Sequence, residues 1–222
     1  MAIIVGIIQV KGGTGKSTLV TNLAGMMAST KKVALIESDM PQATSASWAA
    51  IRQQENITTV TVDNHIQLIE NIERLNEKYD FIVIDAPPRI AEITKVTLMI
   101  SHLCLVPLGA SAAEIWATSD LLTIINAAKV HKPKIDVRIV WNRFRASTKS
   151  AHELSEAAHK ELKLKELKSK LGFRIAYSEA LARGMTATEW PDREARKESK
   201  AFGKEIEHIL SLIHISEPTR PY

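Results

Sequence analysis

The chain has 222 residues, 45% of them hydrophobic and 24% charged, with a formal charge of +4. That length buries one sizeable core and leaves little for a second full domain. The single cysteine, Cys104, excludes an internal disulfide framework, and no apolar run reaches the roughly 18 residues that a membrane span needs.

The opening run, Ala2 to Gln9, is apolar, lacks a basic leader and meets glycines within a few residues, so it reads as a buried strand and not as a signal peptide. A cytoplasmic protein is expected. Further strands are expected at Lys32 to Glu37, Ile57 to Val62, Phe81 to Asp85, Leu103 to Leu108 and Ile135 to Trp141. Several are continuous hydrophobic runs, the pattern of strands covered on both faces. Between them helical patterns run from Lys16 to Ser29, Ala43 to Gln53, Ile66 to Lys78, Ile90 to Ile100 and Ala113 to Lys129. A long polar helix is expected from about Thr148 to Lys170, charged nearly all round after His159, and a last one from about Arg193 to Leu212. This alternation predicts an α/β fold: a doubly wound, mainly parallel sheet with helices on both faces. Residues 1–210 are read as a single domain. Residues 211–222, with Pro218 and Pro221, are expected to be a disordered or non-native tail.

The first strand leads into Gly12, Gly13, Thr14 and Gly15, and then into a helix opened by Lys16, Ser17 and Thr18. Glycines let successive backbone N–H groups curl around an anion, and the helix N-terminus adds its dipole. Lys16 is placed to neutralise β and γ phosphates, and Ser17 to offer its hydroxyl to Mg²⁺. The general phosphate-loop pattern puts glycine six residues before that lysine, where this chain has Val10, followed by a second lysine, Lys11. The run Phe81 to Asp85 is a buried strand ending in an acid, which brings Asp85 to the metal shell at the carboxyl end of the sheet.

Lys11 before Gly12 and Gly13, with Lys16 after Gly15, resembles the deviant Walker A loop of the ParA/MinD family of ATPases. The resemblance spans roughly Met1 to Leu210. Glu37, Ser38, Asp39, Met40, Pro41 and Gln42 resemble the family's switch I segment, with Glu37 in place of its first Asp and Met40 inserted before Pro41. Asp85 ends a segment like Walker B. Asn142 and Arg143 resemble its adenine-side pair, and Pro107 matches a position read as structural. The resemblance implies ATP and Mg²⁺ as cofactors, with Asp39 orienting the attacking water or holding a Mg²⁺-bound one. It implies that Lys11 reaches across a homodimer to the partner's nucleotide, making Lys11, Lys16 and Asp39 the catalytic set.

Between Asn142 and Lys204 the chain carries 15 Lys/Arg against 9 Asp/Glu, so the whole positive excess lies there and the rest is net negative. That asymmetry points to a polyanionic partner, DNA or an anionic membrane, or else to a solvated helix face. The chain's size, with no preceding DNA-reading segment, resembles the short ParA type that partitions plasmids or other cargo. Such proteins are implied to dimerise on ATP, bind nonspecific DNA, associate with the nucleoid, and respond to a small centromere-binding adaptor of the ParB or ParG kind. Arg143, Arg145, Arg174, Arg183, Arg193, Arg196 and Lys197 are the candidate DNA contacts, and sparse aromatics imply phosphate-directed, sequence-blind binding.

Two competing readings are a MinD-like membrane-positioning ATPase and a metabolic P-loop ligase or amidotransferase. Ile206, Ile209, Leu210 and Ile213 recur at helical spacing, but Glu205 and Glu207 interrupt them, so a core helix is expected there and no stable membrane association. The metabolic reading needs a second cluster of His, Cys or acids, whereas His152, His159 and His208 are scattered. Cys104 alone is too little for the iron–sulfur reductases of the same fold.

Overall fold

The computed structural model of the chain describes residues 1–89 and 91–216. Seven parallel strands form its sheet: β1 Ile3–Ile7, β2 Val33–Glu37, β3 Ile57–Thr61, β4 Phe81–Asp85, β5 Leu103–Leu108, β6 Asp136–Trp141 and β7 Lys165–Glu166, in the order β3-β2-β4-β1-β5-β6-β7. The helices are α1 Lys16–Met27, α2 Thr44–Arg52, α3 His65–Leu75, α4 Glu92–Ile100, α5 Ala112–His131, α6 Lys149–Leu162, α7 Ile175–Leu181 and α8 Arg193–Ser216.

Strand side chains alternate between the faces, and the core divides accordingly. Val5 and Ile7 of β1 join Val33, Leu35, Phe81 and Val83 beneath α1, α2, α7 and α8. Ile4, Ala34, Ile36, Ile82 and Ile84 face α3 and α4, while Cys104, Val106, Val137 and Ile139 face α5 and α6. The centre of the sheet is thus apolar on both sides, which explains why β2, β4 and β5 are buried at every residue.

β1 lies between β4 and β5, and the chain moves outward from it in both directions. In open α/β sheets such a switch point opens a crevice beyond the carboxyl ends of the strands, and ligands gather there. Residues 8–15 connect β1 to α1 at this end of the sheet.

The expected helix from Thr148 to Lys170 is corrected. It stops at Leu162, Lys163 turns left-handed at φ 50°, and Lys165–Glu166 add an edge strand to β6. Leu164 is drawn to one face of the sheet and Leu167 to the other, a strand-like alternation that outweighs the helical propensity of the Lys/Glu run. The short helix α7 has no counterpart among the expected elements. Ile90, expected to open α4, lies outside the described residues. At the other end α8 continues through Ser216, past the expected stop at Leu212, and residues 217–222 of the expected tail lie outside the described residues.

Candidate functional site

Between β1 and α1 the backbone turns left-handed at Gly13 (φ 72°) and Gly15 (φ 92°). Gly15 is the N-cap of α1, and no side chain caps that helix, so its first-turn N–H groups face the loop's concavity. A Cβ on Gly15 would lie 2.0 Å from Nδ2 of Asn142. Thr14 and Lys16 are buried, whereas Lys11 is half-buried and makes no ion pair among the described residues.

Lys16 extends toward three acids. Burial lowers its pKa, and the charges of Asp85, Asp39 and Glu37 oppose that shift. Asp85, at the end of β4, is fully buried, and neither carboxylate oxygen has a hydrogen-bond partner among the described residues. Burial first, and the charge of Glu37 second, push its pKa up to about 7, against the pull of Ser17, Lys16 and Ser45. An unpaired buried carboxylate is costly and needs an explanation. Beside Ser17 and beneath a phosphate-shaped loop, a cation supplies one. Among the described residues no group of three or more His, Cys, Asp or Glu side chains could hold a metal alone. Mg²⁺ keeps water and phosphate oxygens in its shell and needs only one or two protein oxygens, which Ser17 and Asp85 would supply.

Glu37 differs from Asp85 in being fully satisfied. Its Oε1 accepts the Asp39 N–H at 2.8 Å, and its Oε2 accepts both the N–H and the hydroxyl of Ser45, at 3.0 and 2.7 Å. Glu37, which the sequence marks only as standing in place of the first Asp of the switch I-like segment, therefore shapes the segment 38–45 that presents Asp39. Ser38 donates from N and Oγ to the Asp85 carbonyl, tying the ends of β2 and β4 together. Asp39 is half-buried on the side of the crevice that Lys16 faces.

On the other side, Asn142 follows β6. Its Nδ2 donates to the Thr14 carbonyl at 2.8 Å and its Oδ1 accepts the Arg143 N–H at 3.0 Å. The amide nitrogen thus braces the phosphate loop while the oxygen caps the backbone of the next residue, at the position where the sequence suggests contact with a base edge. A pocket of about 390 Å³ opens here, lined by Gly13, Gly15, Thr18, Asn142, Arg143 and residues 172–175, 177 and 178. Phe173 and Ile175 are largely exposed on its wall and offer an apolar platform for a base. Glu198 of α8 holds that wall by accepting from the Gly172 N–H, the Arg174 guanidinium and the Tyr177 hydroxyl. The Arg174 guanidinium, an expected DNA contact, is paired with Glu198 at 2.7 Å at the rim of this pocket.

The other expected cations separate. Arg143 pairs with Glu114, Arg145 lies over the Phe173 ring and Arg183 over the Trp190 ring. Arg193, Arg196 and Lys197 come together on the exposed face of α8, joined by Lys200 and Lys204, which nothing in the sequence alone singles out; they line a groove of about 630 Å³. The opposite face of α8, through Ala195, Phe202, Ile206 and Ile209, lies in the core. The apolar spacing near the end of the helix is therefore used in folding, as expected of a core helix, and no described helix is long and apolar enough to cross a membrane.

Residues 5–187 match the family described as the CobQ/CobB/MinD/ParA nucleotide binding domain. The maintenance of carboxysome distribution protein A of Halothiobacillus neapolitanus is 24% identical over 215 residues, 96% of each chain. Among solved structures, an ATP complex of a Cyanothece McdA variant superimposes with a TM-score of 0.75 at 16% identity, covering 93% of this chain and 96% of the other. A plasmid partition protein of Borrelia burgdorferi bound to AMPPNP gives 0.72 at 19% identity, covering 94% and 99%.

Proposed function

This chain belongs to the CobQ/CobB/MinD/ParA family of nucleotide-binding domains, and from that premise we propose that it is a ParA-type positioning ATPase. It dimerises on ATP, binds DNA without sequence preference, and hydrolyses ATP to position a cargo. The observation that carries the reading is the unpartnered, fully buried Asp85 facing Lys16 beneath a glycine bend that bears a second lysine. A phosphate loop alone implies nucleotide binding; Lys11, without an ion pair among the described residues, adds a charge for a second molecule.

The residues divide the work. Backbone N–H groups of 12–16 and the Lys16 ammonium hold the phosphates. Ser17 and Asp85 would hold Mg²⁺, which would supply neutralisation of the phosphate charge. Asp39, fixed by the bonds that Glu37 makes on either side of it, orients the attacking water. Lys11 supplies in trans the charge that an arginine finger supplies elsewhere, so turnover depends on assembly.

The exposed cations of α8 support DNA as the surface on which the cargo is moved, and a separate small adaptor protein is the proposed stimulator. The names of the relatives suggest a plasmid or a protein compartment as cargo. Nucleoid association in the cytoplasm follows from this reading.

The test measures binding to random-sequence DNA with ATP, ADP or no nucleotide, alongside phosphate release and dimerisation. ATP-dependent binding that falls steeply with salt is expected. Lys16→Ala should abolish all three signals, and Lys11→Ala should keep nucleotide binding but lose dimerisation and hydrolysis. DNA binding indifferent to nucleotide, or hydrolysis unchanged in Lys11→Ala, refutes the reading.

A further inference from the structure

Glu114, in the first turn of α5, is a nearly buried carboxylate outside the phosphate site, with a side chain 8% exposed. Its Oε2 accepts the Gly109 N–H at 2.6 Å and its Oε1 accepts from the Arg143 guanidinium at 2.7 Å. Its backbone carbonyl accepts the Thr118 hydroxyl at 2.8 Å, and Thr118 Oγ1 in turn accepts from Nε2 of Gln9, where β1 enters the phosphate loop.

Two further features show that this placement is built into the fold. Arg143 stands at φ 53°, a left-handed conformation that a bulky side chain adopts only when its surroundings hold it there. At Gly109 an added Cβ would lie 2.9 and 3.0 Å from the two carboxylate oxygens, so the chain has left room there for the Glu114 head group.

Resting on the nucleotide-binding reading, we infer that Glu114 is a positioning residue for the base side of the pocket. It holds Arg143 in its left-handed turn, with the guanidinium against the pocket wall, so that the nucleoside meets a preformed surface. Truncating the anchor leaves an unpaired guanidinium that is 40% exposed and free to swing across the opening. The phosphate loop keeps its own brace, the Asn142 bond to Thr14. The effect is therefore confined to ligands that carry a base.

The experiment compares Mg-ADP and Mg-tripolyphosphate binding by the native chain, E114Q, R143Q, the double variant and G109A. E114Q should bind ADP about tenfold more weakly, as expected for a lost hydrogen bond to a charged group, with tripolyphosphate binding unchanged. In the R143Q background, E114Q should cost nothing further. G109A pushes a methyl group against the carboxylate while keeping its charge, so it should reproduce the ADP-selective loss and carries the test if E114Q does not fold. Native-like ADP affinity in E114Q or G109A, equal loss of both ligands, or additive effects of the E114 and R143 changes overturns the inference. Failure of the native chain to bind either ligand overturns the nucleotide reading itself.

Discussion

The Nδ2 of Asn142 donates to the backbone carbonyl of Thr14 at 2.8 Å across 128 residues of sequence, and the same nitrogen fills the space where Gly15 has no side chain. Gly15→Ala would face two penalties. Its φ of 92° is foreign to alanine, costing roughly 1–2 kcal/mol, and its methyl group would overlap the amide. The expected outcome is a lower melting temperature and no measurable Mg-ATP binding by calorimetry. Asn142→Ala should partly restore binding in the Gly15→Ala background by removing the clash.

Asp85→Asn tests the unpartnered carboxylate. The substitution removes a buried charge that repels Glu37, while Lys16 keeps Asp39 and Glu37 nearby. Free of nucleotide, the variant should melt higher than the native chain; for a domain of this size each kcal/mol gained is worth about 2–4 °C. Nucleotide affinity should lose its dependence on Mg²⁺. A lower melting temperature in the absence of ligand would show that Asp85 is structural and not held ready for a cation.

The contrast between Asp85 and Glu114 also shows what can be read from the chain before its fold. Asp85 is legible because an apolar strand ending in an acid is a local pattern, and β4 and β5 fall at their expected residues for the same reason. The phosphate bend is legible because its glycines and lysines are contiguous. Glu114 and Glu198 act through partners that the sequence does not place beside them: Glu198 holds residues 21 to 26 positions away, and Glu114 one 29 away. In sequence they are ordinary helix acids. The stretch after Leu162 reads as helix because its lysines and glutamates favour one, while the leucines at 164 and 167 are pulled to opposite faces of the sheet. Arg174 groups with the DNA contacts by charge alone, which says nothing about the carboxylate waiting for it on α8.

Acid stability should depend on Glu189. Burial tends to raise its pKa, but bonds from Arg52 and from the Thr186 N–H and hydroxyl outweigh that and lower it from 4.5 to about 2. A carboxylate with a depressed folded-state pKa contributes its stability above the unfolded value and loses it as pH falls toward the folded one. With the side chain 40% exposed, solvent screening holds the contribution to on the order of 1 kcal/mol. Urea titrations of the native chain and Glu189→Gln should show a constant gap above about pH 5 that closes between 4.5 and about 2. A gap that persists unchanged at pH 3 would assign the stabilisation to packing.

Charge reversal on α8 separates the DNA surface from the nucleotide site. Lys200 and Lys204 are exposed on the helix face opposite Phe202 and Ile206, so Lys200→Glu with Lys204→Glu leaves the core untouched. Removing one lysine–phosphate pairing lowers the slope of log affinity against log salt by about 0.9, and the reversal adds repulsion. The double variant should therefore bind duplex DNA at least tenfold more weakly in low salt, with a shallower salt slope, while ATP affinity and ATP-dependent dimerisation stay native. Arg174→Glu should behave in the opposite way: facing Glu198 at the pocket wall, it should weaken nucleotide binding and affect DNA only through that loss. If Arg174→Glu and the α8 reversal gave the same profile, the two basic regions would belong to one surface, and the division between pocket wall and DNA face argued from their geometry would be wrong.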